Sequence, residues 1–151
     1  TRPFFDPDFN SLACLDVERG VALSAGSDLE LRSGSSRQGS LLVWDLATDE
    51  LVKKVPMPAA IFRLELDRLH HRVAIAGGPG NRDDTSPFLI IYDYATNEVV
   101  FEEHDTSFHG NEKGDSFGWI DEPEGLISIC RRYANDRQVL DARMLVFPCL
   151  C

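Results

Sequence analysis

The sequence predicts an all-β fold made of about three consecutive antiparallel units of four strands each. The first reason is a phrase that occurs twice: LLVWDLATDELV at 41–52 returns as LIIYDYATNEVV at 89–100, 48 positions later. The second reason is that each phrase follows two apolar runs that flank a charged turn, at 11–26 and at 61–78. Self-similarity of this kind indicates a repeated supersecondary unit.

The first two strands of each unit, a and b, are predicted from short apolar runs on either side of a polar turn. They lie in SLACLDVERGVALSAG, in IFRLELDRLHHRVAIAGG and, for a third unit, in FGWIDEPEGLISIC at 117–130. The turn at 121–125 matches the turn at 16–20. Glycine at 26 and at 77–78 ends strand b, where a loop begins and its conformational freedom is useful.

Strands c and d come from the repeated phrase itself, as an aliphatic run, a polar turn and a second apolar run. In the third unit ARMLVFPCLC at 142–151 supplies strand c, with Phe147 at the position of Trp44 and Tyr92. A fourth strand is missing from this unit. The predicted units within 1–151 span 11–58, 60–105 and an incomplete 116–151.

The segment GSLLVWDLATDELV at 39–52 resembles the hairpin between strands c and d of a WD-repeat β-propeller blade. The resemblance implies that Ser24 of strand b and Trp44 of strand c take part in one hydrogen-bond network. The other two units are more degenerate and are similar to several propeller families, including quinoprotein-like and lactonase-like ones. A sandwich or small barrel of the same hairpins is the alternative, because alternating strands with short turns suit those folds as well.

Three blades make an incomplete propeller, because closed propellers have about four to eight blades. A bare blade face at either end of the row exposes apolar side chains to water. We therefore expect the chain to be a piece of a longer protein whose remaining blades complete the ring. A second copy that pairs into a six-bladed ring is the alternative.

The predicted meander has two rims with different connections. The a–b and c–d turns lie at one rim, and the b–c and d–a connections lie at the other. The second set is predicted to be long loops, at 27–40, 78–87, 104–116 and 131–142. Loops on a rigid scaffold commonly carry recognition, and mixed charges favour a protein or peptide partner. The predicted partner-binding residues are Asp28, Arg32, Arg37, Arg82, Asp83, Asp84, His109, Lys113, Arg131 and Arg132.

Composition excludes some partners and favours one compartment. Twenty-five acidic against 15 basic side chains give a net charge of −10, so nucleic acid and anionic membranes are not expected as partners. The sequence has no run of about 18 apolar residues that could span a bilayer. The four cysteines lack the spacing of a zinc site or a disulfide framework, which favours a reducing, cytoplasmic setting. Cys14 and Cys130 are expected to act as small hydrophobic residues.

These observations predict a non-catalytic protein-interaction scaffold. The alternative is an enzyme-type propeller, a hydrolase or lyase, with a metal or small-molecule site on the channel axis. That alternative needs polar side chains that converge from several a strands, where Arg63 and Glu65 are the charged residues. His70 and His71 are expected in a solvated turn, since neighbouring strand residues point to opposite faces. No catalytic residue, metal site or cofactor is predicted.

Overall fold

The computed structural model describes residues 13–27, 39–58, 60–78, 88–104 and 116–147. The regular structure of these residues consists of eleven β-strands. The strands are β1 (Ala13–Asp16), β2 (Val21–Ser27), β3 (Gly39–Asp45), β4 (Glu50–Pro56), β5 (Ala60–Asp67), β6 (Arg72–Gly78), β7 (Phe88–Asp93), β8 (Glu98–His104), β9 (Ser116–Asp121), β10 (Glu124–Ala134) and β11 (Arg137–Val146).

The strands form three antiparallel sheets that follow one another along the chain. Sheet 1 contains β1 to β4 and sheet 2 contains β5 to β8, each in sequence order. Sheet 3 contains β9, β10 and β11, with β10 in the middle. The predicted fold class is confirmed: the chain is all-β, its sheets are blade-like, and in the described part of the chain they form an open row.

Sheets 1 and 2 share the same strand pairing, including a register irregularity at equivalent positions. Each has a row of cross-strand partners next to its turns, formed by Asp16, Val21 and Asp45 in sheet 1 and by Asp67, Arg72 and Asp93 in sheet 2. The register between the third and fourth strands shifts between Val43 and Trp44 and, in sheet 2, between Ile91 and Tyr92. A shift at equivalent positions means that the repeated phrase encodes the same local structure twice.

The turn within the repeated segment explains why the segment contains polar residues. Asp45 Oδ1 accepts a hydrogen bond from the backbone N–H two residues later at 2.8 Å, and Asp93 Oδ1 does the same at 2.8 Å. Both turns end in a left-handed residue, Asp49 with φ 57° and Asn97 with φ 59°. Asp and Asn stabilise turns through such side-chain bonds and tolerate the left-handed region better than most residues.

The sheets stack face to face through two apolar cores. Sheets 1 and 2 enclose Leu23, Leu41, Val43, Met57, Val73, Ile75, Phe88, Ile90, Tyr92 and Tyr94. Sheets 2 and 3 enclose Ala74, Ala76, Leu89, Ile91, Leu126 and Phe147. The first strands of the three sheets, β1, β5 and β9, contact one another in succession. The first strand is therefore the inner strand of each sheet, as in radially arranged blades.

The first turn of sheet 3 is tighter than the sequence comparison predicts. β9 and β10 are joined by residues 122–123 alone, with a cis peptide bond between them, whereas the equivalent turn of sheet 1 has four residues. Gly125, predicted in the turn, lies in β10 and pairs with Val146. A Cβ atom at this position would overlap the carbonyl oxygen of Leu145, so glycine permits the close approach of β10 and β11.

The predicted equivalence of Phe147 with Trp44 and Tyr92 is off by one residue. Val146 occupies the matching row of β11, and Phe147 follows the strand. The Phe147 side chain is nevertheless buried, with its ring centroid 5.6 Å from that of Trp119. The aromatic ring thus packs against the preceding sheet, as Tyr92 does, from a shifted backbone position.

Candidate functional site

The connections between strands divide the row of sheets into two rims. The short-turn rim carries the turns at 17–20, 46–49, 68–71, 94–97 and 122–123. The opposite rim, called the loop-rich rim, contains the described ends of β2, β6 and β8 and the turn between β10 and β11. The short turns lie where the sequence predicts them. The predicted long loops at 27–40, 78–87 and 104–116 lie, apart from their end residues, outside the described part of the chain.

Most of the predicted partner-binding residues lie outside the described part of the chain. These are Asp28, Arg32, Arg37, Arg82, Asp83, Asp84, His109 and Lys113. Arg131 and Arg132 lie in β10, so the prediction of a long loop at 131–142 is wrong. This segment is a β-hairpin, in which Arg131 pairs with Leu140 and Arg132 with Val139.

The hairpin of β10 and β11 extends beyond the rest of sheet 3. β10 pairs with β9 only as far as Ile129, but its pairing with β11 continues to Ala134. Five residues, 130–134, therefore lie past the end of β9. At about 3.3 Å per residue the hairpin projects roughly 17 Å at the loop-rich rim. The sequence placed the two arginines at the correct rim but in the wrong kind of element.

A two-residue turn forms the tip of this hairpin. Asn135 and Asp136 have φ angles of 51° and 59°, both in the left-handed region. This conformation matches the twist of the strands on either side and favours Asn, Asp and Gly. The sequence signal was therefore present in the Asn-Asp pair, but no alternation of apolar residues in RRYANDRQ marked the flanking strands.

The hairpin also differs from the chain in charge. Segment 130–141 contains three arginines and two aspartates, whereas the whole chain carries −10. Charges of both signs within reach of one partner fix register and select against wrong partners more than they add affinity. The hairpin segment therefore has a small net positive charge, in contrast to the acidic chain as a whole.

The short-turn rim contains a charged network that the sequence did not predict. His70 Nδ1 lies 2.9 Å from Asp67 Oδ2, and His70 Nε2 lies 3.4 Å from Glu124 Oε2 of sheet 3. Arg72 Nε binds the same oxygen of Asp67 at 2.9 Å, and its Nη2 binds Glu124 Oε1. His70 lies in the predicted turn, but its side chain is only 33 % exposed and its ring lies between carboxylates of two sheets, so the expectation that it is solvated is corrected.

Arg72 is the centre of this network. It is 3 % exposed, and its guanidinium carbon lies 4.4 Å from the Trp119 ring centroid and 4.6 Å from that of Phe147. Such stacking is favourable for the planar guanidinium, because its N–H groups can still donate hydrogen bonds in the plane of the guanidinium itself. The network joins sheet 2 to sheet 3 at the edge of their apolar core.

A second polar tie joins sheets 1 and 2 at the same rim. The Tyr94 hydroxyl donates a 2.6 Å hydrogen bond to Asp16 Oδ2, and both residues are buried. This bond lowers the pKa of Asp16, with a smaller contribution from the Arg19 backbone N–H. Burial and then the Asp16 contact raise the pKa of Tyr94, so the phenol stays protonated as the donor.

The Asp at the end of strand a has a local role as well. Asp16 Oδ1 accepts from the Arg19 backbone N–H at 3.2 Å, and Asp67 Oδ1 lies 3.4 Å from that of His70. Each carboxylate thus closes its own a–b turn with Oδ1 and binds a second side chain with Oδ2, which is Tyr94 for Asp16 and Arg72 for Asp67. The same residue type therefore stabilises the turn and the stacking of the sheets.

The indole of Trp44 forms the hydrogen bond that its position implies. Trp44 Nε1 donates to Ser24 Oγ at 3.0 Å, and both side chains are buried. In sheet 2 the equivalent Tyr92 hydroxyl donates to Asn97 Oδ1 at 3.0 Å instead. Burial, followed by the charge of Asp93, raises the pKa of Tyr92.

The inner strands show paired rather than converging charges. Arg63 Nε binds Glu65 Oε1 at 3.0 Å within β5. Within the described ranges, no group of three or more His, Cys, Asp or Glu side chains has the arrangement of a metal site. These residues also contain no helix that is long and apolar enough to cross a membrane.

Comparisons of the chain with protein-family models, with curated proteins and with solved structures found no match.

Proposed function

We propose that the chain is a non-catalytic protein-interaction scaffold, a WD-repeat-like propeller segment that presents its loop-rich rim to a protein or peptide partner. The observation that carries the proposal is the hairpin of β10 and β11, which projects beyond β9 at this rim. Two arginines, Arg131 and Arg132, lie on its first strand.

The two rims differ in structure, and this difference supports the choice of the loop-rich rim as the binding surface. The polar ties of Asp16 with Tyr94 and of Arg72 with Glu124 both lie at the short-turn rim. Residues that hold sheets together are poor contributors to a binding surface, because a partner would have to compete with those contacts. The loop-rich rim carries the projecting hairpin of β10 and β11, and a projecting element on a rigid scaffold suits recognition.

The WD-repeat-like part of the proposal rests on sheet 1. The hydrogen bond from Trp44 to Ser24 is the one that the resemblance implies for strands b and c. The repeated turn that begins at Asp45 and at Asp93 supports a shared blade pattern in sheets 1 and 2. The free thiol of Cys14 suits a reducing compartment, and we propose the cytoplasm.

A paired-variant capture experiment tests the choice of rim. The tagged protein and its Arg131→Ala/Arg132→Ala variant are used to capture proteins from a cell extract, and the bound proteins are identified by mass spectrometry. The matched control is Val17→Ala/Leu69→Ala, which shortens two side chains of the short-turn rim that are 72 % and 69 % exposed. Thermal unfolding of all three proteins shows that the sheets are intact.

The proposal expects the arginine variant to lose specific partners and the control to keep them. It also expects the wild-type capture to weaken as salt is raised, because exposed charge pairs are screened over about 8 to 10 Å near physiological ionic strength. Partners lost only by the control variant would place the binding surface at the opposite rim. If both variants keep the partners, the hairpin arginines are not part of the binding surface.

A further inference from the structure

His70, in the short turn between β5 and β6, places its ring between carboxylates of sheets 2 and 3. Its Nδ1 lies 2.9 Å from Asp67 Oδ2 at the end of β5, and its Nε2 lies 3.4 Å from Glu124 Oε2 at the start of β10. Asp67 Oδ1 also lies 3.4 Å from the backbone nitrogen of His70, so this carboxylate positions both the backbone and the ring. Each ring nitrogen therefore faces a carboxylate oxygen, and the two oxygens belong to different sheets.

This arrangement suits a protonated imidazole better than a neutral one. A neutral ring donates a hydrogen bond from one nitrogen and has a lone pair on the other, whereas a protonated ring donates from both. If His70 is neutral, one of its nitrogens directs a lone pair at the oxygen of a carboxylate. If it is protonated, the ring donates to Asp67 and at the same time presents a positive N–H group to Glu124, which links sheet 2 to sheet 3.

The charges that contact the ring favour the same state. Arg72 of β6 opposes a positive charge on the ring, because its Nη2 lies 3.5 Å from His70 Nδ1. Arg72 also binds both Asp67 and Glu124, however, so one guanidinium is shared by two carboxylates. With these groups in their ordinary ionised forms, a proton on His70 makes the cluster neutral. The side chains of His70, Asp67 and Glu124 are 33 %, 7 % and 27 % exposed, so water screens their interactions less than at an open surface.

Other titratable groups near the turn are exposed or pack against a different partner. The ring of His71 packs edge-on against Tyr94 of sheet 2, with the two centroids 6.0 Å apart. The exposed charged residues of the two neighbouring turns are Arg68, Asp121 and Glu122. Exposed charges act on the ring through water, which screens them. The electrostatics of the His70 ring are therefore dominated by the three charged groups that contact it.

We propose that His70 is a pH-sensitive link between sheets 2 and 3, in which the protonated imidazole binds Asp67 and Glu124 together. Histidine changes its charge between about pH 5 and 8. The link is present at the acidic end of this range and is lost as pH rises and the ring releases its proton. Because sheet 3 carries the hairpin of β10 and β11, the link also determines how firmly this hairpin is held against sheet 2. The proposal concerns the contact between the sheets and does not depend on the proposed binding function.

Urea unfolding at several pH values tests the link. The wild type is compared with His70→Gln, which keeps a polar side chain but takes up no proton. Both proteins carry Trp44→Phe, so that the emission comes from Trp119 of sheet 3. Between about pH 8 and about pH 5.5, where Asp and Glu are ordinarily ionised, the unfolding equilibrium constant of the wild type is expected to fall at least about fivefold relative to that of His70→Gln. The two proteins share every other titratable group, so the comparison isolates His70.

His104→Gln is the matched control, and His70→Lys is a second test. His104 Nε2 lies 2.8 Å from Glu102 Oε1, but both residues lie in β8 and their side chains are 48 % and 47 % exposed. This variant is expected to follow the wild type at every pH. His70→Lys keeps a positive charge throughout the range, so it is expected to change less with pH and to be at least as stable as the wild type near pH 8. The comparison of this variant with the wild type decides the question if His70→Gln does not fold.

Three results overturn the proposal. Parallel pH dependence of the wild type and His70→Gln would show that protonation of His70 is not coupled to folding. A wild type that gains stability over His70→Gln as pH rises would show that Arg72 outweighs the two carboxylates and that the neutral ring fits the cluster better. A loss of pH dependence of the same size in His104→Gln would assign the effect to exposed histidines in general.

Discussion

Replacing Arg72 by methionine perturbs the tie between sheets 2 and 3 while keeping a long apolar side chain in place. The change removes the ion pairs with Asp67 and Glu124 and the stacking on Trp119 and Phe147. Asp67, which is 7 % exposed, then loses its buried guanidinium partner. The outcome depends mainly on how much it costs to leave that carboxylate buried.

Breaking a buried ion pair by removing one partner costs about 3 to 5 kcal/mol, mostly because the other charge stays desolvated. Stacking on two rings adds to this loss, but contributions within one network are not additive. We therefore expect Arg72→Met to lower the free energy of unfolding by about 3 to 5 kcal/mol. Since small domains have about 5 to 15 kcal/mol in total, the variant is expected to be marginally stable.

Urea unfolding followed by tryptophan fluorescence measures this loss and locates it. The two tryptophans report on different sheets, Trp44 on sheet 1 and Trp119 on sheet 3. In a Trp44→Phe background the emission comes from Trp119, which lies against Arg72. We expect the Trp119 transition to move to lower urea than the circular dichroism transition, because sheet 3 loosens first.

Arg143→Met is the matched control. Arg143 binds Glu103 of sheet 2 across the same interface through two hydrogen bonds of 2.8 and 3.1 Å, and the two side chains are 39 % and 26 % exposed. A partly solvated pair contributes about 1 kcal/mol, so the control should lose much less stability than Arg72→Met. A loss below about 1 kcal/mol for Arg72→Met, or equal losses for the two variants, would refute the reasoning that burial makes the Arg72 network strong.

Three further predictions concern single contacts. Tyr94→Phe is expected to cost about 1.5 to 3 kcal/mol at neutral pH, because it removes a buried hydrogen bond to the charged Asp16. The bond lowers the pKa of Asp16. The stabilisation that the bond provides is therefore present above the ordinary pKa of 3.8 and is lost as pH falls through the lower pKa of the folded protein. In urea titrations, the difference in the free energy of unfolding between Tyr94→Phe and the wild type should shrink below about pH 4. Burial, with a smaller contribution from Glu65, raises the pKa of the Cys14 thiol to about 11, so iodoacetamide at pH 8 should label Cys14 at least about 100-fold more slowly in the native protein than in urea, as read by peptide mass spectrometry. Ser24→Ala is expected to cost about 1 kcal/mol in thermal unfolding through the loss of the Trp44 contact, and an unchanged melting temperature would show that this bond adds nothing to stability.

The parts of the fold that the sequence predicted well are those that depend on neighbours along the chain. The turn that begins at Asp45 is closed by a backbone N–H two residues later and ends at a left-handed Asp49. The turn that begins at Asp93 uses the same devices. Because each contact lies within a few residues, the letters of the phrase are enough to indicate the hairpin and its repeat.

The polar ties between sheets could not be predicted in this way. Tyr94 and Asp16 are 78 positions apart in the sequence, and their contact depends on how two complete sheets stack. In the sequence Arg72 is an ordinary charged residue after a turn, because nothing near it in the chain indicates that it stacks on the Trp119 and Phe147 rings of sheet 3. Such contacts follow from the relative placement of sheets rather than from local pattern.

The hairpin of sheet 3 was missed for a different reason. Strands are recognised in a sequence because one face is buried and its residues are apolar in alternation. Residues 130–134 of β10 pair with β11 alone and extend past β9, so this alternation is weak where Arg131 and Arg132 lie. The remaining signal was the Asn135-Asp136 turn, whose left-handed geometry suits a two-residue hairpin.

The two rims are therefore under different physical constraints. At the short-turn rim one Asp closes its own turn and also contacts a neighbouring residue, as Asp16 does with Arg19 and Tyr94, so a substitution there disturbs local and long-range structure together. At the other rim the hairpin beyond Ile129 is held by its own strand pairing. Side-chain changes there can alter recognition at little cost in stability. A surface whose side chains can change without loosening the sheets suits partner specificity, and this is why we propose that binding occurs at the loop-rich rim.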